Sequence, residues 1–444
     1  MGRLFGTDGI RGIAGKELNP DLAHKVGEAL TEALQDVGIH RPKILIGMDT
    51  RESSPLLCDS VSKGIKESGG VAIGIGVCST PAVAYLLIRH SFDAGVMISA
   101  SHNPYKYNGI KIFGRNGFKL SDDMELKIEK LILDGATTIT PNVAREEYIN
   151  YLKGTFGVSL SGIRIGIDCA NGSASVTAKD LFTGLGAECY MLSDSPDGKN
   201  INEKCGSTHL EGLKRLVLSH GLDAGVAFDG DADRCIAIDE KGREIDGDYI
   251  MAILASRLID EGALEKNAIV GTVMTNLGLR KFCEDNGIAF KSAAVGDRFV
   301  LEMLNEGGYS LGGEQSGHII LPRLATTGDG QLTAIALLSQ VKNSGKSLGA
   351  LAEIMKKYPQ ITLNIEADPA DKKAVTEDII IKGIISDAEK SLKNKGRIII
   401  RPSGTEALIR ITAESRTEDE AKEICHNLAH KIKGRLKELK TAVG

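Results

Sequence analysis

At 444 residues the chain has room for about three domains of average size, and a hydrophobic content of 42% supplies several buried cores, which excludes a peptide, a small scaffold or a disordered tail. A formal net charge of −5, from 54 basic and 59 acidic residues, is too balanced for a protein that coats nucleic acid. Tryptophan is absent and aromatics reach only 4%, a poor stacking platform for single strands, whereas 52 glycines suit a loop-rich α/β enzyme.

The first residues, Met1 to Asp8, lack the basic and apolar regions of a secretory signal, and no run of about 18 apolar residues follows, so neither secretion nor a membrane span is expected. Residues 43–48 read as a buried strand, 55–67 as a helix, 70–77 as a strand, 81–90 as a helix and 94–99 as a strand apolar on both faces. That strand opens into the polar turn Ala100-Ser101-His102-Asn103-Pro104. A second unit begins after Tyr151, with strands at 163–167, near Cys189 and at 224–228, and a helix from about Ser175. A third runs from Asp248 through helix 249–259, strand 268–273, helix 277–286, a glycine-rich strand and turn at 309–318 and helix 331–342. From about Ala367 the pattern changes to strands at 397–400 and 407–413 and a charged helix from Glu418, a smaller α+β module. The eight cysteines hold no C-x-x-C pair, so a reducing, cytoplasmic setting is expected.

Asp229-Gly230-Asp231-Ala232-Asp233-Arg234 sets three carboxylates at alternate positions around a glycine, a ligand set for Mg2+, which favours oxygen donors. A calcium loop competes, because Glu240 is the twelfth residue from Asp229, but Arg234 stands where that loop needs glycine. A solvated acidic turn is the third reading. Ser99-Ala100-Ser101-His102 presents a hydroxyl nucleophile; adjacency makes a catalytic Ser–His hydrogen bond rare, and no nucleophile elbow or orienting acid is evident. Lys111 is a nearby cation able to steady an anion on Ser101, and a plain polar turn is the alternative. Arg401-Pro402-Ser403-Gly404-Thr405, followed by Arg410, assembles the parts of a phosphate cradle, or a hairpin turn. Gly313-Glu314-Gln315-Ser316-Gly317-His318 carries the groups that hold sugar hydroxyls, although His318 suits a structural role equally. Gly9-Ile10-Arg11-Gly12 and Gly296-Asp297-Arg298 are either anion contacts or surface turns.

Together, the stretches Phe5 to Gly12, Ser99 to Pro104, Asp229 to Arg234, Gly313 to His318 and Arg401 to Thr405 resemble the α-D-phosphohexomutase superfamily along nearly the whole chain. The resemblance implies three related α/β domains with mixed sheets and a smaller C-terminal α+β domain around a central cleft, at residues 1–153, 154–250, 251–365 and 366–444. It implies Ser101 as phosphoserine and metal ligand, Asp229, Asp231 and Asp233 as Mg2+ ligands, Glu314 and Ser316 as sugar contacts, and Arg401, Ser403, Gly404, Thr405 and Arg410 as the distal phosphate site. Arg11, Lys111 and His318 match residues of proton handling and charge support. The implied reaction moves a phosphoryl group between the 6- and 1-positions of a hexose through a bisphosphorylated sugar, which also serves as activator. Gln315 points to glucosamine phosphate, with glucose or mannose phosphate as the alternative. The partners implied are a sugar phosphate, a second copy bound through the first domain, and an activating kinase, with no nucleic acid and no membrane. Two departures stand out: Lys106-Tyr107 replaces an acid, and Ala407 replaces a proline, leaving the approach to the last strand less rigid.

Overall fold

A computed structural model of the protein describes residues 5–6, 9–118, 142–392, 395–402 and 407–443. The chain forms two bodies: Met1–Val273 with Ile288–Ile354, and Met274–Gly287 with Met355–Gly444.

Three mixed sheets make up the first body. The first contains β1 (Phe5–Gly6), β2 (Gly9–Ile13), β3 (Lys43–Met48), β4 (Val71–Val77), β5 (Ala94–Ile98) and β6 (Tyr107–Gly114), in the order β1-β2-β6-β5-β3-β4. The second contains β7 (Arg164–Asp168), β8 (Glu188–Leu192), β9 (Ala224–Phe228), β10 (Cys235–Asp239) and β11 (Glu244–Ile245), in the order β11-β10-β9-β7-β8. The third contains β12 (Ala268–Thr272), β13 (Ala289–Ala293), β14 (Gly312–Gly313) and β15 (Ile319–Ile320), in the order β13-β12-β14-β15. One plan underlies all three. A central strand has a parallel neighbour on each side, and the later of these neighbours turns back into an antiparallel strand: β5 into β6, β9 into β10, β14 into β15.

The parallel strands β5, β9 and β12 are buried along their whole length. This is why their sequences show no polar alternation: helices cover both faces, and every side chain enters a core. The covering helices start where chemistry favours it. Asn19 accepts the N–H of Leu22 at 2.8 Å ahead of Pro20–Asp36, and Asp329 accepts that of Leu332 at 2.9 Å ahead of Gly330–Ser344. Helices Pro20–Asp36 and Ser54–Glu67 cross so closely that a Cβ on Gly27 would lie 2.2 Å from Val61 O.

The second body is built on the antiparallel sheet β16 (Gln360–Glu366), β17 (Arg397–Pro402) and β18 (Leu408–Glu414), in the order β16-β18-β17. Its core packs Ile365, Ile398, Ile409 and Ile411 against Ala421, Cys425, Leu428 and Ile432 of the helix Glu418–Val443. Helix Leu277–Asp285, which sequence order assigns to the third unit, groups with this body: Glu414 accepts the N–H of Leu277 and a guanidinium N–H of Arg397, both at 2.8 Å. The sheet also starts earlier than the expected change near Ala367, because β16 pairs with β18 from Gln360 onward. All eight cysteines are free, and no helix among the described residues is long and apolar enough to cross a membrane.

Candidate active site

The serine turn joins β5 to β6. Ser101 takes φ 54°, the left-handed region, where a residue with a side chain costs about 1–3 kcal/mol unless its surroundings enforce it. Here they do. The Ser101 N–H donates to Ser99 Oγ at 2.9 Å, and its carbonyl accepts from Arg51 Nη2 and Asn202 Nδ2, each at 2.9 Å. The hydroxyl, buried, donates to Asp229 Oδ2 at 2.6 Å. His102 Nδ1 lies 3.2 Å from Ser101 Oγ, a contact that adjacency in sequence argued against. Burial, with Arg234 and Arg11 close by, pulls the His102 imidazole down to about 4, so it is neutral at pH 7 and adds no positive charge beside Ser101.

The acidic turn joins β9 to β10. The carbonyls of Gly230, Asp231 and Ala232 accept from the backbone N–H groups of Ser173, Thr80 and Gly330 at 2.8, 2.9 and 3.0 Å, so segments of all three sheets' domains converge on it. Asp229, Asp231 and Asp233 are buried, with ligand oxygens all within 4.8 Å of one another, which overturns the solvated-turn reading. The antiparallel pairing of β9 with β10 removes the helix–loop–helix setting of a calcium loop. Lys111 on β6 places Nζ 2.6 Å from Asp231 Oδ2 and 3.4 Å from Asp233 Oδ2, and the Thr80 hydroxyl donates to Asp231. Arg234 Nε stands 3.9 Å from Asp229 Oδ2 and from Asp233 Oδ1.

Like charges gathered out of water must be compensated. Burial, reinforced by Asp233 and Asp231, pushes the Asp229 carboxyl up to about 8. Burial opposes charge on Asp233 too, but Lys111 and His318 hold it well below the usual carboxylate range. Lys111 is itself kept above its ordinary value, since Asp231 and Asp233 outweigh its burial. Even so, Asp231 Oδ1 and Asp233 Oδ1 are buried without a hydrogen-bond partner. Hard oxygen donors aimed at one point, two of them unsatisfied, fit a divalent cation such as Mg2+.

The third turn joins β14 to β15. Gly317, at φ 89°, lies so near the start of β10 that a Cβ would meet Cys235 O at 2.3 Å, and its carbonyl accepts the Cys235 N–H at 3.0 Å. Glu314 accepts from Gly296 N–H at 3.1 Å and from the Ser316 hydroxyl at 3.4 Å. Gln315 donates from Nε2 to Asp246 Oδ2 at 3.2 Å. His318 is buried, with Nδ1 3.5 Å from Asp233 Oδ2, while Nε2 accepts the Gly328 N–H at 3.1 Å. In the neutral ring the Gly328 N–H makes Nε2 the acceptor and leaves the proton on Nδ1 facing Asp233; burial opposes a second proton, but Asp233 outweighs it and raises the His318 pKa. A cavity of about 590 Å³ opens beside His318, lined also by Asp297, Arg298, Asn116 and Thr327, a volume in the range of small-ligand pockets.

Ser101, Lys111, His318 and the three aspartates thus form one contact network in the first body, and Arg11 on β2 stands in the field of Asp231, Asp233 and Asp297. In the second body, Arg401 and Arg410 sit opposite each other on β17 and β18; burial, and then Arg410, lower the Arg401 pKa. Ser403, Gly404 and Thr405 lie outside the described residues. Arg51 and Asn202 escaped the sequence reading. The only local signal for Arg51 is its place just after a buried strand, in Met48-Asp49-Thr50-Arg51.

Comparison with known proteins gives this arrangement its class. Four phosphoglucomutase/phosphomannomutase domain models match: alpha/beta/alpha domain I at residues 2–138, domain II at 146–242, domain III at 246–358 and the C-terminal domain at 341–431. The chain belongs to this phosphohexose mutase family. It is 47% identical to the phosphoglucosamine mutase of Caldicellulosiruptor saccharolyticus over 98% of this chain and 100% of that one. Among solved structures, a phosphoglucomutase/phosphomannomutase family protein of Burkholderia thailandensis superposes with a TM-score of 0.80 at 21% identity, covering 96% of this chain and 97% of that one. An N-acetylphosphoglucosamine mutase of Aspergillus fumigatus, in complex with GlcNAc-6P and magnesium, superposes with a TM-score of 0.66 at 16% identity, covering 96% and 95%. These two likenesses speak for the fold.

Proposed function

We propose that the protein is a phosphoglucosamine mutase, interconverting glucosamine 6-phosphate and glucosamine 1-phosphate. The observation that carries the chemistry is the buried Ser101 hydroxyl 2.6 Å from an aspartate trio braced by Lys111. Full-length identity of 47% to a phosphoglucosamine mutase supports the choice of sugar.

In this reading Ser101 carries a phosphoryl group. The P–Oγ bond breaks as the free hydroxyl oxygen of the bound sugar monophosphate forms a new P–O bond, and the hydroxyl proton leaves to a base at the site. A bisphosphorylated sugar and free Ser101 result. The sugar turns end for end, its other phosphate meets Ser101, and transfer back restores the phosphoserine and releases the isomeric monophosphate. Lys111 offsets negative charge on the phosphoryl oxygens, where fixed positive groups in a water-poor site act most strongly. Asp229, Asp231 and Asp233, with the Ser101 ester, would hold Mg2+, which when bound supplies further neutralisation of the transferring group. His318 and Arg11 are assigned proton handling and charge support. Glu314 and Ser316 hold sugar hydroxyls presented from either end. Arg401, Ser403, Gly404, Thr405 and Arg410 grip the phosphate that is not reacting.

The Gln315 amide adds a reason to favour an aminosugar. One of its N–H groups is held by Asp246, and its oxygen is an acceptor suited to a 2-ammonium group. Residues 1–153, 154–250, 251–365 and 366–444 are assigned the phosphoserine, the metal, the sugar and the remote phosphate respectively. A cytoplasmic enzyme, a homodimer through the first segment, and charging of Ser101 by a kinase or a bisphosphorylated hexose complete the proposal. The decisive experiment measures kcat/KM on glucosamine, glucose and mannose phosphates and the mass of the Ser101 peptide before and after phosphatase. Preference for glucosamine phosphate and a removable increment of about 80 Da are expected; preference for glucose or mannose phosphate rejects the sugar, and an active enzyme never phosphorylated at Ser101 rejects the mechanism.

A further inference from the structure

Building on the phosphoserine reading, we infer that Arg51 and Asn202 are positioning residues that set the phosphoryl-bearing oxygen of Ser101 through its backbone carbonyl. The Arg51 side chain is fully enclosed, and its contacts with the turn are all backbone oxygens: Nη2 to Ser101 O at 2.9 Å, Nη1 to Pro104 O at 2.7 Å and to Tyr107 O at 3.0 Å. Nε binds Asp49 Oδ2 at 2.8 Å, so the charge is neutralised on the side away from the turn. Asp49 is fixed in turn by the Ser54 hydroxyl at 2.7 Å and by the Arg51 N–H at 3.1 Å. Asn202, from the neighbouring domain, adds Nδ2 bonds to Ser101 O at 2.9 Å and Asn103 O at 3.1 Å.

At φ 54° Ser101 prefers to relax toward an ordinary backbone well, and relaxation would swing its side chain away from Asp229. The planar guanidinium has donors in a fixed fork and can tie three carbonyls of one turn at once, which the single ammonium of lysine cannot reproduce. Asn202 completes the grip from the far side, leaving the carbonyl two donors and no room: a Cβ on Gly230 would lie 2.4 Å from the same oxygen. Neither residue approaches the Ser101 hydroxyl in the contacts described, so each acts through Ser101 and not as a catalytic group.

Positioning of this kind has a kinetic signature. Displacement of a reacting atom by about 1 Å costs on the order of 10²-fold in rate, while substrate binding groups stay where they were. The test uses the full chain, phosphorylated at Ser101, with glucosamine 6-phosphate as substrate. Arg51→Lys is expected to lower kcat about 10²-fold and to leave KM unchanged. Because a buried arginine also supports folding, Asn202→Gly is the second variant. Asn202 itself sits at φ 59°, so glycine keeps that backbone comfortable while removing the side chain that donates. It is expected to lower kcat about tenfold, again with KM unchanged. The double variant should fall short of the product of the two effects, since both hold one oxygen.

Single-turnover transfer from the phosphoenzyme, read well below each melting temperature, should slow in the same proportion as kcat. A folded Asn202→Gly variant with wild-type kcat, or loss of activity matching only the unfolded fraction, overturns the inference while the proposed function stands. Wild-type protein inert toward all three hexose phosphates overturns that function and this inference with it.

Discussion

The serine turn and the acidic turn hold the same place in their sheets, each reversing a buried parallel strand into an antiparallel one, yet they are fastened by opposite means. The acidic turn's carbonyls are held through backbone N–H groups of Ser173, Thr80 and Gly330, which no substitution other than proline deletes. At Ser101 the carbonyl is held by side chains, Arg51 and Asn202, each removable by one codon change. Under the proposed function the contrast follows from what each turn must do. Three carboxylates repel and need a scaffold that does not yield. A nucleophile must be aimed, and aim is adjustable when distant side chains set it.

Substitutions can break or sharpen this contrast. The largest effect belongs to Ser101→Ala, which removes the group that is aimed: kcat should fall about a million-fold, the scale of losing a covalent nucleophile, and melting temperature should barely move. Mutase assay and calorimetry on one preparation check both halves, and retained turnover would end the phosphoserine scheme. Next comes Asp231→Asn. Its carboxylate meets Lys111 at 2.6 Å, so kcat should fall about 10³-fold and Mn2+ affinity, followed by electron paramagnetic resonance, should weaken in parallel. If metal affinity is untouched, the trio is not the metal site. Gly230→Ala tests the contact between the turns: one methyl aimed at Ser101 O should lower kcat about 10²-fold while Mn2+ still binds.

The smallest effect concerns the scaffold of the acidic turn. Asp329 caps the helix whose Gly330 N–H holds Ala232, and burial pushes its carboxyl up to about 6. A carboxyl raised in the folded state binds more protons than the unfolded chain between about pH 4 and 6, so its contribution to stability is present below that window and is lost as pH rises through it. Asp329→Asn keeps a capping oxygen and carries no charge. The variant should therefore melt a few degrees higher than wild type at pH 8 and lose that advantage at pH 4. A pH-independent difference in melting temperature would contradict the assignment.

Much of this site was legible because its chemistry is written in short runs. Asp229 to Arg234 announces an oxygen cage, and the uninterrupted apolar strand before Ser101 announces a turn at a sheet end. What stayed hidden are interactions that exist only after the chain closes on itself. Arg51 meets Ser101 O from 50 positions away and Asn202 from 101; the place of Arg51 after a buried strand is its one local signal, and Asn202 has none. The contacts of helix Leu277–Asp285 with Glu414 and Tyr358 are illegible for the same reason, since these partners lie far along the chain. The metal reading needed burial to exclude its rivals: spacing leaves a hydrated turn open, and enclosure of all three acids closes it.

The thrice-repeated reversal at the end of a parallel strand carries an organisational lesson. A molecule that forms one corner three times can give each corner a separate trade: in the proposed function, an ester at the first, metal-holding carboxylates at the second and a grip on hydroxyls at the third. Each can then be tuned for a new sugar or a new pace without rebuilding the other two.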